Sequence, residues 1–169
     1  MSTEQRGDRS ERRPRSEPGV LPNIAPKPSA ENAPFWDGTA AGKLVLPRCR
    51  SCAYVIWYPR ELCTQCGSVD IEWFEASGDG VIYSCTVTHK GQGAYRDAGP
   101  FVLAYVELAE GPRVMTNIVG CDPESVRIGQ AVTVVFHDTG QGTAVPRFQP
   151  AGGAFPTMLH NLSQNPPER

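Results

Sequence analysis

Four of the six cysteines form two close pairs, and this spacing is the strongest chemical signal in the chain. Two residues separate the cysteines within each pair and ten residues separate the pairs, which are Cys49 with Cys52 and Cys63 with Cys66. A two-residue gap lets both sulfurs of a pair reach one ion, and two such pairs complete a tetrahedral shell. Four thiolates leave no open position for water, so the sequence predicts one structural Zn²⁺ rather than a catalytic metal.

Two other interpretations of these cysteines stay open at this point: reduced thiols without a metal, and iron in a rubredoxin-like electron carrier. A closed shell of four thiolates most often holds zinc, whereas bound iron would colour the purified protein red. Cys85 and Cys121 stand alone in strand-like contexts. We interpret them as small buried apolar residues.

The sequence shows no arrangement of residues typical of an enzyme active site. His89, His137 and His160 have no carboxylate or cysteine partner evident in the sequence, and a functional histidine needs a positioned partner. No phosphate-binding glycine loop, nucleophile elbow or paired-carboxylate motif occurs. The sequence therefore favours a protein that is not catalytic by itself.

Charge is distributed unevenly over the 169 residues. Residues 1–29 contain six Lys/Arg and four Asp/Glu, whereas the remainder contains ten Lys/Arg and fourteen Asp/Glu. The acidic body argues against nucleic-acid binding, because neutralising phosphates drives that affinity. A single-stranded nucleic-acid-binding protein is kept as the alternative function, with Tyr83, Tyr105 and Phe136 as candidate stacking residues.

The chain carries no sequence signal for a membrane or for export. Its apolar stretches fall short of the roughly 18 residues needed to cross a bilayer, and its amino terminus lacks the apolar region of a secretory signal. Paired cysteines without an export signal favour metal binding over disulfides. We therefore expect a cytoplasmic protein that does not associate with membranes.

Composition and periodicity predict the elements that position the cysteines. The Arg-, Glu-, Ser- and Pro-rich start has too little to bury to become ordered. A strand-like segment, 54–59, lies between the cysteine pairs. The predicted organisation is a disordered tail (1–29), an N-terminal helical segment (30–43), a zinc ribbon (44–75), an OB-fold (76–150) and a C-terminal tail or partner-binding arm (151–169).

The fold class is predicted to be mainly β, with the body forming a five-stranded OB-fold barrel. Period-two alternation places the first strand at 81–88, and apolar runs separated by turn residues place the others at 101–108, 114–119, 131–137 and 144–148. The strand from Phe101 to Leu108 is apolar on both faces, as in a strand covered on each side. Pro146 predicts that the last strand lies at an edge, because proline cannot donate to a neighbour.

OB-folds usually bind ligands through two loops, which here are residues 90–100 and 138–143. The first of these loops is long and rich in glycine. Tyr95 and Arg96 at its tip are the candidate ligand-binding residues.

Several motifs together resemble one known family. They surround the cysteine pairs and recur along the predicted barrel, at Pro47–Cys52, Tyr58–Gly67, Gly78–Ser84, Phe101–Leu108, Ile128–Val132 and Val145–Pro150. In this order, over about residues 30 to 150, they resemble the acyl-CoA-associated zinc-ribbon/OB-fold proteins, long labelled a domain of unknown function. Members of that family are accessory subunits of thiolase-like enzymes and of lipid-transfer-protein-type aldolases.

The resemblance implies a helical segment, a rubredoxin-like ribbon and an OB barrel that work beside a catalytic subunit, in a heterotetramer. The thiolase-like or lipid-transfer-protein-like partner would hold the catalytic residues. This chain would bind one structural zinc, support the partner's fold and help form the acyl-CoA site. Acyl-CoA would be the substrate of the complex. The reaction would be thiolysis or the cleavage of lipid or steroid side chains. Phe35 and Trp36, next to the tail, and Phe155, in the arm, are the candidate partner-binding residues.

Overall fold

The computed structural model describes residues 20–152, and its elements confirm a mainly β protein. One short helix, α1 (Ala33–Ala40), follows a single 3₁₀ turn (Ala30–Asn32). Within the described range the strands are β1 (Val45–Cys49), β2 (Ile71–Glu75), β3 (Asp79–Thr88), β4 (Phe101–Leu108), β5 (Arg113–Ile118), β6 (Ala131–Asp138) and β7 (Ala144–Pro150). No helix of residues 20–152 is long and apolar enough to cross a membrane.

Strands β3 to β7 close into a barrel in the order β3-β4-β5-β7-β6. Neighbouring strands run antiparallel except β5 and β7, which meet in parallel at Ile118 and Phe148. All five predicted barrel strands are present, with ends that lie close to the predicted ones. The prediction of a five-stranded OB-type barrel is confirmed.

The prediction that Pro146 places the last strand at an edge is wrong. β7 pairs with β6 along its length and also contacts β5, where N of Val119 donates to O of Phe148 at 2.8 Å. Pro146 itself accepts a hydrogen bond at its carbonyl from Oγ1 of Thr116 on β5, at 3.2 Å. The backbone pairing between β5 and β7 is short and lies at Phe148, beyond the proline, so the missing N–H is tolerated in a closed barrel.

The ribbon is built on the antiparallel pair β1 and β2, in which Cys49 lies opposite Ile71. The predicted strand at 54–59 is wrong, since this segment forms only an isolated bridge between Val55 and Arg48. Two hydrogen bonds hold the segment on the free side of β1, from N of Cys49 to O of Tyr54 and from N of Ile56 to O of Pro47, both at 2.9 Å. The chain then leaves β1, so the ladder does not continue.

Helix α1 and the ribbon share one apolar core with the barrel. Phe35 of α1 is 1% exposed and lies in the same buried cluster as Leu44 and Leu46, which lead into the ribbon, and Val106 and Phe148 of the barrel. Burying one such side chain contributes roughly 1.5–3 kcal/mol. The shared core therefore fixes the ribbon on the barrel.

The segment before α1 lies on the barrel. Nη1 of Arg147 on β7 donates to Oδ1 of Asn23 at 2.8 Å, and Nη2 donates to O of Pro22 at 2.7 Å. Nδ2 of Asn23 in turn donates to O of Asp138 at 3.0 Å. We call residues 20–23 the N-terminal strap.

The predicted disordered tail and the predicted C-terminal arm fall largely outside the described residues. Residues 1–19 and 153–169 belong to this part of the chain. The strap is the portion of the predicted tail that the structure shows in contact with the barrel.

Candidate metal centre

Two tight turns bring the four predicted ligands together. Cys49 ends β1, and N of Ala53 donates to O of Cys49 across the first turn; N of Gly67 donates to O of Cys63 across the second, both at 2.9 Å. Ala53 and Gly67 have φ values of 60° and 75°, in the left-handed region. Glycine adopts this region readily, whereas alanine pays about 1–2 kcal/mol. The first turn therefore adopts the same left-handed backbone conformation as the second, although its alanine is strained in it.

The four sulfurs are arranged as a metal shell requires. All four Sγ atoms lie within 4.8 Å of one another. The Sγ atoms of Cys49 and Cys66 are 3.6 Å apart, and so are those of Cys52 and Cys63. A tetrahedral ion with Zn–S bonds of about 2.3 Å places its sulfurs about 3.8 Å apart. The residues therefore fit a four-thiolate zinc site with no position left for a substrate.

In this close packing the pKa values of Cys49 and Cys52 shift in opposite directions. Burial raises the pKa of the Cys49 thiol, but hydrogen bonds from the backbone of Cys52 and from the Cys66 thiol outweigh it and lower this pKa to about 6. At Cys52 a backbone hydrogen bond from Tyr54 lowers the pKa, but burial and the neighbouring thiols raise it to about 12. A second thiolate is unfavourable beside the first unless a cation compensates its charge.

Polar contacts around the metal centre join the two turns to each other. Oγ of Ser51 donates to Oγ of Ser68 at 2.9 Å, and N of Arg50 donates to O of Asp70 at 3.0 Å. These contacts connect the first turn to the chain that follows the second. They hold the two cysteine pairs at a separation that suits one ion.

The two predicted ligand-binding residues occupy different environments. Tyr95 packs against Phe101 with ring centroids 5.4 Å apart and lines a cavity of about 430 Å³ together with Leu103 and Asn117. Arg96 is exposed and does not line this cavity. The structure thus brings Tyr95 to a concave surface and leaves Arg96 outside it.

The three predicted partner-binding residues also separate. Phe35 is buried within this chain and has almost no surface left for a partner. Trp36 is half-buried, and its Nε1 donates to the hydroxyl of Tyr58 at 3.1 Å, which joins α1 to the ribbon. Phe155 lies outside the described residues.

The outer surface of β3, β4 and β5 exposes five large apolar side chains, and we call it the β3–β5 face. Their exposed fractions range from 36% to 58%, for Val81, Tyr83, Leu103, Tyr105 and Met115. The interpretation of residues 101–108 as a strand covered on both sides therefore does not hold within residues 20–152, which leave the outer side of β4 uncovered. Sequence reasoning detected the apolar character of this side but not its exposure.

Sequence reasoning also missed Arg147. This residue is 2% exposed and holds the N-terminal strap. The available signal was one charged residue among apolar neighbours in a predicted strand, which does not distinguish a buried arginine from a surface one.

Comparisons with known proteins match this architecture. The family profile "ChsH2, rubredoxin-like zinc ribbon domain" matches residues 36–72, and the profile "ChsH2, C-terminal OB-fold domain" matches residues 73–137. Among solved structures, a chain of the "Ltp2-ChsH2(DUF35) aldolase" is 33% identical with a TM-score of 0.66, and the match covers 75% of this chain and 98% of that chain. The chain belongs to the DUF35 family.

Curated relatives of this DUF35 protein are similar over part of their length. A "Benzoylsuccinyl-CoA thiolase subunit BbsA" from Geobacter metallireducens is 30% identical over 109 residues, which cover 61% of this chain and 67% of that protein. A "Probable enoyl-CoA hydratase alpha subunit" from Thermomonospora curvata is 34% identical over 130 residues, or 76% of this chain. The match spans only 40% of that hydratase subunit.

Proposed function

We propose that this chain is a zinc-binding accessory subunit of a thiolase-superfamily enzyme, a thiolase or a retro-aldolase, that acts on acyl-CoA. The observation that carries the proposal is the similarity to the chain of the Ltp2-ChsH2(DUF35) aldolase, which the match covers almost completely. The relative described as a thiolase subunit supports the same class of enzyme.

The metal centre supports an accessory role. A catalytic zinc keeps a position open for water or substrate, whereas here four cysteines fill the shell. The ion would hold the ribbon in shape and so keep its surface fixed against the barrel. In this proposal the partner supplies the catalytic residues, and this chain supports the partner's fold and helps form the acyl-CoA site.

The β3–β5 face supports the presence of a partner. Barrel closure pairs every strand on both sides over at least part of its length, which favours packing of another protein on a face over extension of the sheet. Contiguous exposed apolar side chains mark such interaction surfaces, and aromatic residues and methionine are enriched in them. We infer that the catalytic subunit covers Tyr83, Tyr105 and Met115, in a complex with two copies of each subunit.

Co-purification from the native host tests the proposal. We expect the affinity-tagged full chain to bring down a thiolase-superfamily protein in near-equal amount, with about one zinc per chain. The substitution Tyr105→Asp places a charge on the β3–β5 face and is expected to abolish co-purification. The matched control is Ile128→Asp, which changes a side chain 68% exposed outside this face. A hydratase or nucleic acid in place of the thiolase-superfamily protein would contradict the proposal.

Activity of the reconstituted pair gives the second test. We expect the purified chain to show no turnover alone and the pair to cleave an acyl-CoA. Steroid-derived, aromatic and short-chain thioesters, each assayed for thiolysis and for retro-aldol cleavage, identify the substrate class and the reaction. Equal activity of the partner with and without this chain would contradict the accessory role.

A further inference from the structure

A second cavity, of about 350 Å³, lies between the N-terminal strap and the barrel. Its lining includes Arg147, His137, Phe101, Ile118, Cys121 and Val20. The volume falls in the range of small-molecule sites, about 300–1,000 Å³. Its wall combines apolar side chains with polar groups, of which Arg147 is the most strongly polar, and a few placed polar groups among apolar ones are usual in such sites.

Arg147 is buried here without an opposite charge. It is 2% exposed, and among residues 20–152 no carboxylate lies within ion-pair distance of its guanidinium. Its two hydrogen bonds go to neutral oxygens of Asn23 and Pro22. Burying a charge costs several kcal/mol and is normally offset by a paired ion.

The guanidinium also has an unused donor. Nε of Arg147 is buried and has no hydrogen-bond partner among the described residues. Burial lowers the pKa of Arg147, and the nearby Tyr95 hydroxyl partly opposes this. A guanidinium presents five N–H donors, and only two are used by the strap. Holding the strap therefore does not account for the charge or for the remaining donors.

Neighbouring groups do not compensate the charge either. Burial, and then the positive charge of Arg147, lower the pKa of His137, so this side chain favours its neutral form. The carboxylate of Asp138 accepts from N of Gly140 at 2.9 Å, and that of Asp122 accepts from N of Glu124 at 3.0 Å. Both carboxylates thus serve the turns that follow them.

The geometry points to this cavity as a binding site for an oxyanion, the phosphate or carboxylate group of a small molecule, with Arg147 making the principal contact. Guanidinium binds both groups through charge-assisted hydrogen bonds. Tyr95, on the loop beside the guanidinium, lies next to this contact. This inference concerns only the cavity beside Arg147 and does not depend on the proposed catalytic partner.

Nuclear magnetic resonance of the ¹⁵N-labelled full chain tests the inference directly, because the Nε–H group of arginine gives its own signal. Inorganic phosphate and acetate are added separately in place of chloride at constant ionic strength. We expect a saturable shift of the Arg147 Nε–H signal and of amides near His137 and Tyr95. Stronger binding of phosphate identifies a phosphorylated ligand, and stronger binding of acetate identifies a carboxylate.

Three variants separate anion binding from a structural role. Arg147→Gln is expected to weaken binding at least about tenfold, since it removes hydrogen bonds from a charged donor. Arg113→Gln, which changes an arginine already paired with Glu107 at 2.7 Å, is the matched control and should bind as the wild type does. Arg147→Lys keeps the positive charge with fewer donors, so it should bind more weakly than the wild type and more strongly than Arg147→Gln.

Two outcomes would overturn the inference. One is the lack of a saturable shift of the wild-type Arg147 signal with either anion. The other is binding that persists unchanged in Arg147→Gln. If Arg147→Gln does not fold, the wild-type titration and Arg147→Lys still decide the question.

Discussion

At the residue scale, the backbone prepares each cysteine pair for a metal as much as the side chains do. The left-handed conformations of Ala53 and Gly67 turn the chain so that both sulfurs of each pair face the same point. Hydrogen bonds from backbone N–H groups already lower the pKa of Cys49 in the absence of a cation. A metal ion then stabilises the remaining thiolates, which repel one another without it.

Cys63→Ser tests the metal centre at a single ligand. Cys63 is 1% exposed, so its replacement removes a buried sulfur from the site. We expect zinc affinity to fall by more than about 100-fold, because even changes in the groups that support ligands cost about 10–100-fold. Competition with a coloured chelator measures this affinity. Cys85→Ser, outside the cluster, should keep full zinc content, and equal affinity of the two variants would exclude Cys63 as a ligand.

His137 predicts a pH dependence of stability. Its pKa is lowered in the folded protein by burial and by Arg147, whereas in the unfolded chain histidine titrates near about 6.5. As pH falls below that value the unfolded chain binds a proton that the folded protein resists, so the free energy of unfolding decreases toward the folded pKa. Urea unfolding between pH 7.5 and 5.5 should show a smaller decrease for His137→Gln than for the wild type.

The matched control for this pH dependence is His89→Gln, since the His89 side chain is 68% exposed. We expect this variant to follow the wild-type profile. If His137→Gln loses stability with falling pH as steeply as the wild type does, another group is responsible.

At the element scale, contacts between segments far apart in sequence hold the N-terminal strap and helix α1 on the barrel. The strap reaches Arg147 across 124 residues and lies against β7. Helix α1 joins β7 through Thr39, whose Oγ1 accepts from N of Ala144 at 3.3 Å. Both N-terminal elements therefore attach to β7.

Asn23→Ala tests the contribution of the strap. The substitution removes the oxygen that accepts from Nη1 of Arg147 and the amide that donates to Asp138. Asn23 is exposed, but its amide oxygen accepts from a buried charged donor, so we expect a loss of about 1–2 kcal/mol in the free energy of unfolding. Chemical denaturation measures it, with Lys27→Ala, an exposed residue of the same segment, as the control. Equal stability of the two variants would show that the strap does not stabilise the barrel.

At the scale of the whole molecule, the metal ribbon and the barrel depend on different interactions. The barrel has strands that pair into a closed ring and contributes most of the shared apolar core. The ribbon has a two-stranded sheet and a small buried cluster of Cys49, Ile56 and Cys63. Two-stranded sheets are marginal by themselves, so the ribbon depends on its metal and on the shared core.

Removal of the metal is therefore expected to destabilise the ribbon much more than the barrel. After treatment with a strong chelator, hydrogen exchange should accelerate at residues 49–66 and remain slow at 101–106 of β4. Hydrogen-exchange mass spectrometry measures both regions in one sample, and re-addition of zinc should restore protection at 49–66. Equal loss of protection in β4 would show that ribbon and barrel unfold as one cooperative unit.

The sequence by itself determined the features that depend on neighbours within a few residues. The two-residue gaps identified Cys49, Cys52, Cys63 and Cys66 as candidate ligands of one site, because a tight turn places both sulfurs of a pair together. Period-two alternation located the first barrel strand, because successive side chains of a strand point to opposite faces. Apolar runs bounded by turn residues located the other four. Short motifs around the cysteine pairs and along the barrel strands also identified the correct family.

Only the tertiary structure decided which segments meet across the molecule. Barrel closure gave β7 two neighbours despite Pro146, and the register of β1 left room for a single bridge at Val55 rather than a further strand. The strap buried Arg147, and the lack of a covering segment within residues 20–152 exposed Tyr105. These outcomes depend on contacts between distant residues, whose geometry and burial no local pattern in the sequence encodes.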